Sequence, residues 1–292
     1  MNITKKKQLT LGWSISRYDK FINCKRRYFY DYYSKFDLEI PLDKIQRLKN
    51  LTSKALEIGN IVHMIIKTIL KRYQITNQPI NMDKLFQYTF NVIKKNCTTK
   101  MFFETHYYHE KIILTDIYTK VKICLNNFLN SKRFKWIINN KVIMSKNHQW
   151  IIDPEGYGDL IISNYKIFCK VDFLFPLDKK LCIIDWKTGK KIKTKHYKQL
   201  IVYLLWAHIS FKQNVHNIVS IVSYLYPQYD EQIVTITKDY IGQLMKVIIS
   251  ETQQMYKYLI DIETNIPKPK ENFQLTTNRF HCKYCNYKEI CF

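Results

Sequence analysis

Apolar residues recur at three- and four-residue spacing through much of the first half of the chain. Ser14-Ile15-Ser16-Arg17 opens the first helical pattern, with Ser14 or Ser16 as N-cap and Tyr18, Phe21, Ile22, Tyr28 and Phe29 as its apolar face. A second helix is predicted from about 48 to 73, where Ile58, Ile61, Val62, Ile65, Ile66, Ile69 and Leu70 keep helical spacing. From about 82 to 142 the pattern stays helical, carried by Leu85, Phe86, Phe90, Val92 and Ile93, then by Ile117, Val121, Cys124, Leu125 and Phe128. Residues 153–159 form a turn-rich loop.

Beyond it the pattern turns to short β-branched and aromatic runs. Ile167 to Phe175 and Leu181 to Lys187, separated by Pro176 to Lys180, predict a β-hairpin with its loop centred near Asp178. A helix from about 196 to 210, strands over 218–226 and 232–236, and a long helix over 240–265 complete the chain. The expected fold class is α/β: one domain with a mixed central sheet flanked by helices and a helical insertion over about 82–145.

That hairpin concentrates the candidate chemistry. Asp172 lies on its first strand, Asp185 and Lys187 on its second, and side chains two apart on a strand share a face, so Trp186 points the other way. Asp172 should come level with Asp185 or one pair away. A surface salt bridge between Asp185 and Lys187 is the plain alternative. Asp185, however, ends the apolar run Leu181-Cys182-Ile183-Ile184, and a carboxylate there is costly unless something positive binds it. Two carboxylates meeting at a strand end suit a divalent cation such as Mg²⁺ or Mn²⁺.

Charge and cysteine usage narrow the partners. Lys plus Arg outnumber Asp plus Glu by 47 to 24, a net charge of +23, which favours a polyanion such as nucleic acid. An AT-rich coding sequence would also enrich lysine. No signal-like apolar segment follows Lys5, Lys6 and Lys7, and no run reaches about 18 apolar residues, so the expectation is an intracellular, cytoplasmic protein without a membrane partner. Eight cysteines in a reducing compartment then point to metal binding or packing. Cys97, Cys124, Cys169 and Cys182 lack ligand spacing. Cys282, Cys285 and Cys291 cluster at the C-terminus, where zinc with His281 or an iron-sulphur cluster with a fourth thiolate would each use them.

Asp172, then Asp185-Trp186-Lys187-Thr188-Gly189, then Gln199 with Tyr203 resembles the PD-(D/E)XK nuclease superfamily, in the branch with RecB, AddB and the iron-sulphur nucleases of CRISPR spacer acquisition. Gly59 with His63 resembles that branch's G-x-x-x-H motif, and Ser14-Ile15-Ser16-Arg17 followed by Cys24 and Arg26-Arg27-Tyr28 resembles its opening. The chain departs from the pattern at Val171, where a proline can precede the aspartate, and at Cys169, where a glycine is common.

The resemblance implies a restriction-endonuclease-like fold and a metal-dependent DNA nuclease, an exonuclease preferring single strands. His63, Asp172, Asp185 and the Trp186 carbonyl would hold Mg²⁺ or Mn²⁺. Lys187 would act on the attacking water or the phosphorus, while Gln199 and Tyr203 position phosphate and water. Cys24, Cys282, Cys285 and Cys291 would bind a 4Fe-4S cluster joining segments of about 14–30 and 278–292. Arg26, Arg27, Lys190, Lys191, Lys193 and Lys195 are the candidate DNA contacts. A helicase, recombination or integrase partner, in recombination, repair or phage and CRISPR DNA processing, would fit this branch. The alternative is a non-catalytic DNA-binding subunit that keeps the fold and the cluster.

Overall fold

An apolar run broken by a single carboxylate belongs in a strand covered on both faces. In the computed structural model of the protein, which describes residues 11–141, 150–154, 158–177 and 179–291, that run is β6 (Lys180–Lys187), buried from Cys182 to Trp186. It occupies the middle of a five-stranded sheet ordered β2-β5-β6-β7-β8, whose other members are Ile151–Ile152, Phe173–Leu177, Ile218–Tyr224 and Asp230–Val234. β5 and β6 are antiparallel, whereas β6 and β7 are parallel. A parallel pair needs a crossover, and α9 (Lys193–Ser210) supplies it. Every residue of α9 from Leu200 to Ala207 is buried, as befits a helix apolar all round.

The chain divides into two compact units. One holds this sheet, with residues 52–157 and 170–238. Its longest helix is α4 (Lys54–Ile75), started by Ser53, whose Oγ accepts from the Leu56 N–H at 3.2 Å. Ile61, Val62, Ile65, Ile66, Ile69 and Leu70 are fully or almost fully buried, and each such side chain contributes about 1.5–3 kcal/mol. They share a core with α7 (Leu114–Asn130) and with Phe173, Phe175, Ile184 and Trp186 of the sheet. α5 (Met82–Thr99), α6 (Phe103–Tyr108) and α8 (Lys132–Lys141) also lie between α4 and β2.

The other unit gathers residues up to Leu51, Gly158–Cys169 and the chain from Asp239. Its three-stranded sheet runs β1 (Gly12–Trp13), β4 (Tyr165–Cys169), β3 (Gly158–Ile162). Ser163 and Asn164 turn the β3–β4 hairpin with φ of 48° and 70°, the left-handed pair that a two-residue turn of this type requires. α1 (Ile15–Asn23) is capped by Ser14 and α2 (Lys25–Tyr33) by Cys24, whose Sγ accepts from the Arg27 N–H. α3 (Leu42–Lys49) and α10 (Lys238–Tyr256) follow. The two-stranded β9 (Leu259–Asp261) and β10 (Ile266–Pro267) and the short α11 (Phe280–Lys283) end the chain. Phe273 is completely buried among Tyr28, Phe29, Tyr33 and Tyr258, and Tyr287 donates to Asp31 at 2.6 Å. These contacts seat the C-terminal segment on α2.

Several boundaries differ from the sequence expectation. The strand expected over 167–175 is two strands, β4 and β5, in separate sheets, because Lys170 to Asp172 leave one ladder before the other begins. The hairpin turn is tighter than residues 176–180, since Leu177 already pairs with Lys180; Asp178 lies outside the described residues. The first helix is broken at Cys24, which has an extended backbone, and the second begins at Lys54 after a separate α3. The last long helix ends at Tyr256, and the remainder up to Asn265 forms β9 and its turn. The N-terminal lysines 5–7, the end of the expected helical stretch at Val142, and Glu155 to Tyr157 also fall outside the described residues.

Candidate active site

The β5–β6 register pairs Phe173 with Ile184, which sets Asp172, in a bend just before β5, level with Asp185. Asp172 Oδ2 accepts from the Trp186 N–H at 2.9 Å, so the sheet itself orients the carboxylate. Its Oδ1 lies 3.2 Å from Nδ1 of His63, which α4 presents one turn after Gly59. A Cβ on Gly59 would sit in ordinary contact, 3.4 Å, with Thr188 Oγ1.

Strand alternation puts Asp185 and Lys187 on the face covered by α9 and Trp186 on the other, where its ring meets Phe128 and Phe173. Asp185 is 2% exposed. Its Oδ1 accepts from Gln199 Nε2 at 3.3 Å and from the Tyr203 hydroxyl at 3.2 Å, and Gln199 also donates to Tyr203 at 2.6 Å. Gln199 and Tyr203, one turn apart on α9, therefore grip the same oxygen. The Lys187 ammonium is 2.6 Å from Oδ2 as an ion pair, and that buried oxygen has no aligned hydrogen bond.

The charges sort themselves by partner. For Asp172, burial works against ionisation, but the His63 imidazolium, its hydrogen bond, Lys187 and the Trp186 N–H outweigh it and hold the carboxyl below its ordinary range. For Asp185, burial dominates and the neighbouring Asp172 charge adds to it, so its pKa is raised despite Lys187. Burial would lower both cations, yet Asp172 raises His63, and Asp185 with Asp172 raises Lys187. Lys187 is thus held as an ammonium, the form that stabilises charge and cannot take a proton.

Among the described residues no three His, Cys, Asp or Glu side chains form a ready-made metal-binding group. His63 rests on Asp172, and Lys187 on Asp185. The donor chemistry nonetheless fits a hard divalent cation. Two carboxylates share a strand end, and Asp185 Oδ2 is a buried carboxylate oxygen with no aligned hydrogen bond beside its ion pair to Lys187. The His63 side chain is 31% exposed, so the site opens to solvent on that side.

The other candidates fall into two groups. Lys190, Lys193 and Lys195 are exposed where the chain leaves β6 and enters α9, while Lys191 pairs with Asp230 and lies 4.9 Å above the Tyr224 ring. Arg26 instead donates to the Phe273 carbonyl at 3.0 Å, and Arg27 Nε is buried without a hydrogen bond, so both are built into their own unit. In that unit Cys24, Cys282, Cys285 and Cys291 are free thiols, and burial raises Cys285, with Cys24 and Cys282 adding to it. Cys291 is pushed up to about 12 by burial and then by Cys285 and Cys24. Cys124, Cys169 and Cys182 are buried, as packing thiols are. Asp159, from the loop expected over 153–159, lies in β3 opposite Phe168.

Sequence reading missed two supports. Asp153, at φ 35°, donates its N–H to the Asp172 carbonyl at 2.7 Å and is held by Lys67, one turn beyond His63, and by Lys170. The Asp-Pro turn signal was its only trace. His196 Nδ1 meets the Tyr224 hydroxyl at 2.9 Å and fastens α9 to β7; no local pattern marks it.

The PD-(D/E)XK nuclease superfamily profile matches residues 12–292. Among solved structures, a candidate exonuclease from Eubacterium rectale is similar at 13% identity and a TM-score of 0.46, over 92% of this chain and 89% of its own. SSO0001 is similar at 18% identity and a TM-score of 0.29, over 65% of this chain and 78% of its own. Both scores are too low to carry an argument. No curated protein matches the chain. The profile spans the β5–β6 hairpin, α4, α9 and both cysteine segments, and the chain belongs to the PD-(D/E)XK nuclease superfamily.

Proposed function

We propose that the protein is a Mg²⁺- or Mn²⁺-dependent deoxyribonuclease, an exonuclease that prefers single-stranded DNA. One observation carries the reading: His63, Asp172, Asp185, Lys187 and Gln199, drawn from one helix, one hairpin and a second helix, converge on a single strand end. Nucleases of this superfamily generally use divalent metals. His63, Asp172, Asp185 and the Trp186 carbonyl would hold the ion, which supplies Lewis-acid polarisation of the phosphate and a more acidic water. Lys187 stabilises charge building on the phosphate, and Asp185 holds its ammonium in place. Gln199 and Tyr203 fix Asp185 and offer their remaining polar capacity to phosphate or water. Lys190, Lys191, Lys193 and Lys195 contact the backbone of the strand.

Cys24, Cys282, Cys285 and Cys291 would bind a structural 4Fe-4S cluster in this reading, supported by the influence of Cys24, Cys282 and Cys285 on Cys291 and by the docking of the C-terminal segment on α2. Zinc is the lesser alternative. Recombination, repair or phage and CRISPR DNA processing, beside a helicase or integrase, is the setting that fits.

Incubating labelled single- and double-stranded DNA with Mg²⁺ or Mn²⁺, with and without chelator, tests the reading. Metal-dependent shortening, faster on single strands, is expected. Binding without cutting would sink it and leave a DNA-binding subunit.

A further inference from the structure

A cleft of about 560 Å³ opens in the sheet-bearing unit one residue beyond Lys187. That size is within the range of pockets that take a single small-molecule moiety, about 300–1,000 Å³. Its apolar lining includes Ile58 of α4, Cys124 of α7 and Tyr226 after β7. Its rim is cationic. Lys120 of α7 and Lys190 after β6 line it, both exposed, and among the described residues neither is paired with a carboxylate. Asp230, the acid on the rim, is already neutralised by Lys191.

The walls are braced before any ligand arrives. Asn127 Nδ2, on α7, donates to the Leu225 and Pro227 carbonyls at 2.9 and 3.0 Å, and the Leu225 N–H donates to the Lys187 carbonyl at 2.8 Å. The Tyr226 loop is thereby tied both to α7 and to the strand end that carries Lys187. Tyr226 is half-buried against the core, and its hydroxyl makes no hydrogen bond among the described residues.

We infer that this cleft binds one nucleobase of a single DNA strand, stacked on Tyr226, with the adjoining phosphates on Lys120 and Lys190. An apolar slot with an aromatic wall and unpaired cations at its mouth matches a nucleotide: a flat π-surface joined to an anion. A base can enter only if it is unstacked and unpaired, so the cleft selects single strands over duplex. The inference rests on the deoxyribonuclease reading for its substrate class and extends it to how that substrate is held.

Equilibrium binding in EDTA separates the two, because no cutting is needed. The probe is a fluorescein-labelled 12-mer of deoxythymidine carrying one 2-aminopurine. Wild type should bind it and quench the 2-aminopurine by stacking. Tyr226→Ala should bind about tenfold or more weakly and lose the quench, and Tyr226→Phe should restore both. Ala55→Trp, an exposed site on the cleft wall, should block entry without disturbing the core. Lys120→Ala should reduce the salt slope by about 0.7. Unchanged affinity and quenching in Tyr226→Ala and Ala55→Trp, or no binding by wild type, would overturn the inference. Absence of metal-dependent cutting alongside intact binding and quenching would overturn the nuclease reading and leave the cleft assigned.

Discussion

Asp185 is a buried carboxylate under opposing electrostatic demands, raised by burial and Asp172 and lowered by Lys187. It is buried beside a second carboxylate and kept in place by Gln199, Tyr203 and Lys187. Asp185→Asn keeps its shape but removes the charge that fixes Lys187. Cleavage should fall about 10²–10³-fold and the thermal midpoint should fall with it, because the Lys187 ammonium loses its buried partner. A variant that cuts normally would show that Asp185 holds nothing the reaction needs. Backbone approach sets a second test, in the other unit. A Cβ on Gly12 would come within 2.2 Å of the Phe168 ring, so Gly12→Ala should destabilise by about 1–3 kcal/mol. Combining it with Phe168→Ala should give less than the sum of the two losses in thermal unfolding, because the clash is removed. Strict additivity would mean that the ring is not the obstacle.

At the scale of elements, α4, the β5–β6 hairpin and α9 act as three arms that bring distant residues together. The Asp153 turn locks two of them, since Lys67 holds Asp153 and Asp153 holds the Asp172 backbone. Lys67→Met should lower the rate constant for cleavage about tenfold with little change in DNA affinity. A matched fall in affinity would point instead to a DNA contact. The α9–β7 junction gives a pH test. Burial, then Lys187 and Lys195, lower His196 from 6.5 to about 4. The folded state therefore binds fewer protons, so its stability is complete above pH 6.5 and declines as the pH drops towards 4. Replacing His196 with Gln should flatten that part of the melting-temperature profile; an identical profile would assign the acid loss to other groups.

The same scale explains what could be read from sequence. The hairpin, α9 and the level placement of Asp172 and Asp185 were legible because alternation and a short turn are local, and residues 172 and 185 sit symmetrically about that turn. The His63 position followed from a family resemblance, not from periodicity, because its partner lies more than a hundred residues away. The break at Cys24 was hidden since both flanking segments are helical, and only the thiol's cap on Arg27 exposes it. β1, β9 and β10 are two or three residues long, too short for any period to register. His196 acts through a tertiary hydrogen bond that leaves no local signature, and Asp153 left only its Asp-Pro turn signal.

For the whole molecule, the net charge of +23 and the superfamily match point to one polyanionic substrate. No helix among the described residues is long and apolar enough to cross a membrane. The cysteine unit sets its own test: anaerobically purified protein should be brown, with a band at about 400 nm that Cys285→Ser removes together with much of the thermal stability. A colourless, zinc-loaded protein would contradict the cluster. The most direct measurement is the single-turnover cleavage rate of a labelled single-stranded oligonucleotide in Mn²⁺ by wild type and Lys187→Ala, with far-UV circular dichroism on both. The expected result is a loss of about 10² or more in rate at unchanged secondary structure and oligonucleotide affinity. Cutting by a folded Lys187→Ala at the wild-type rate would contradict it.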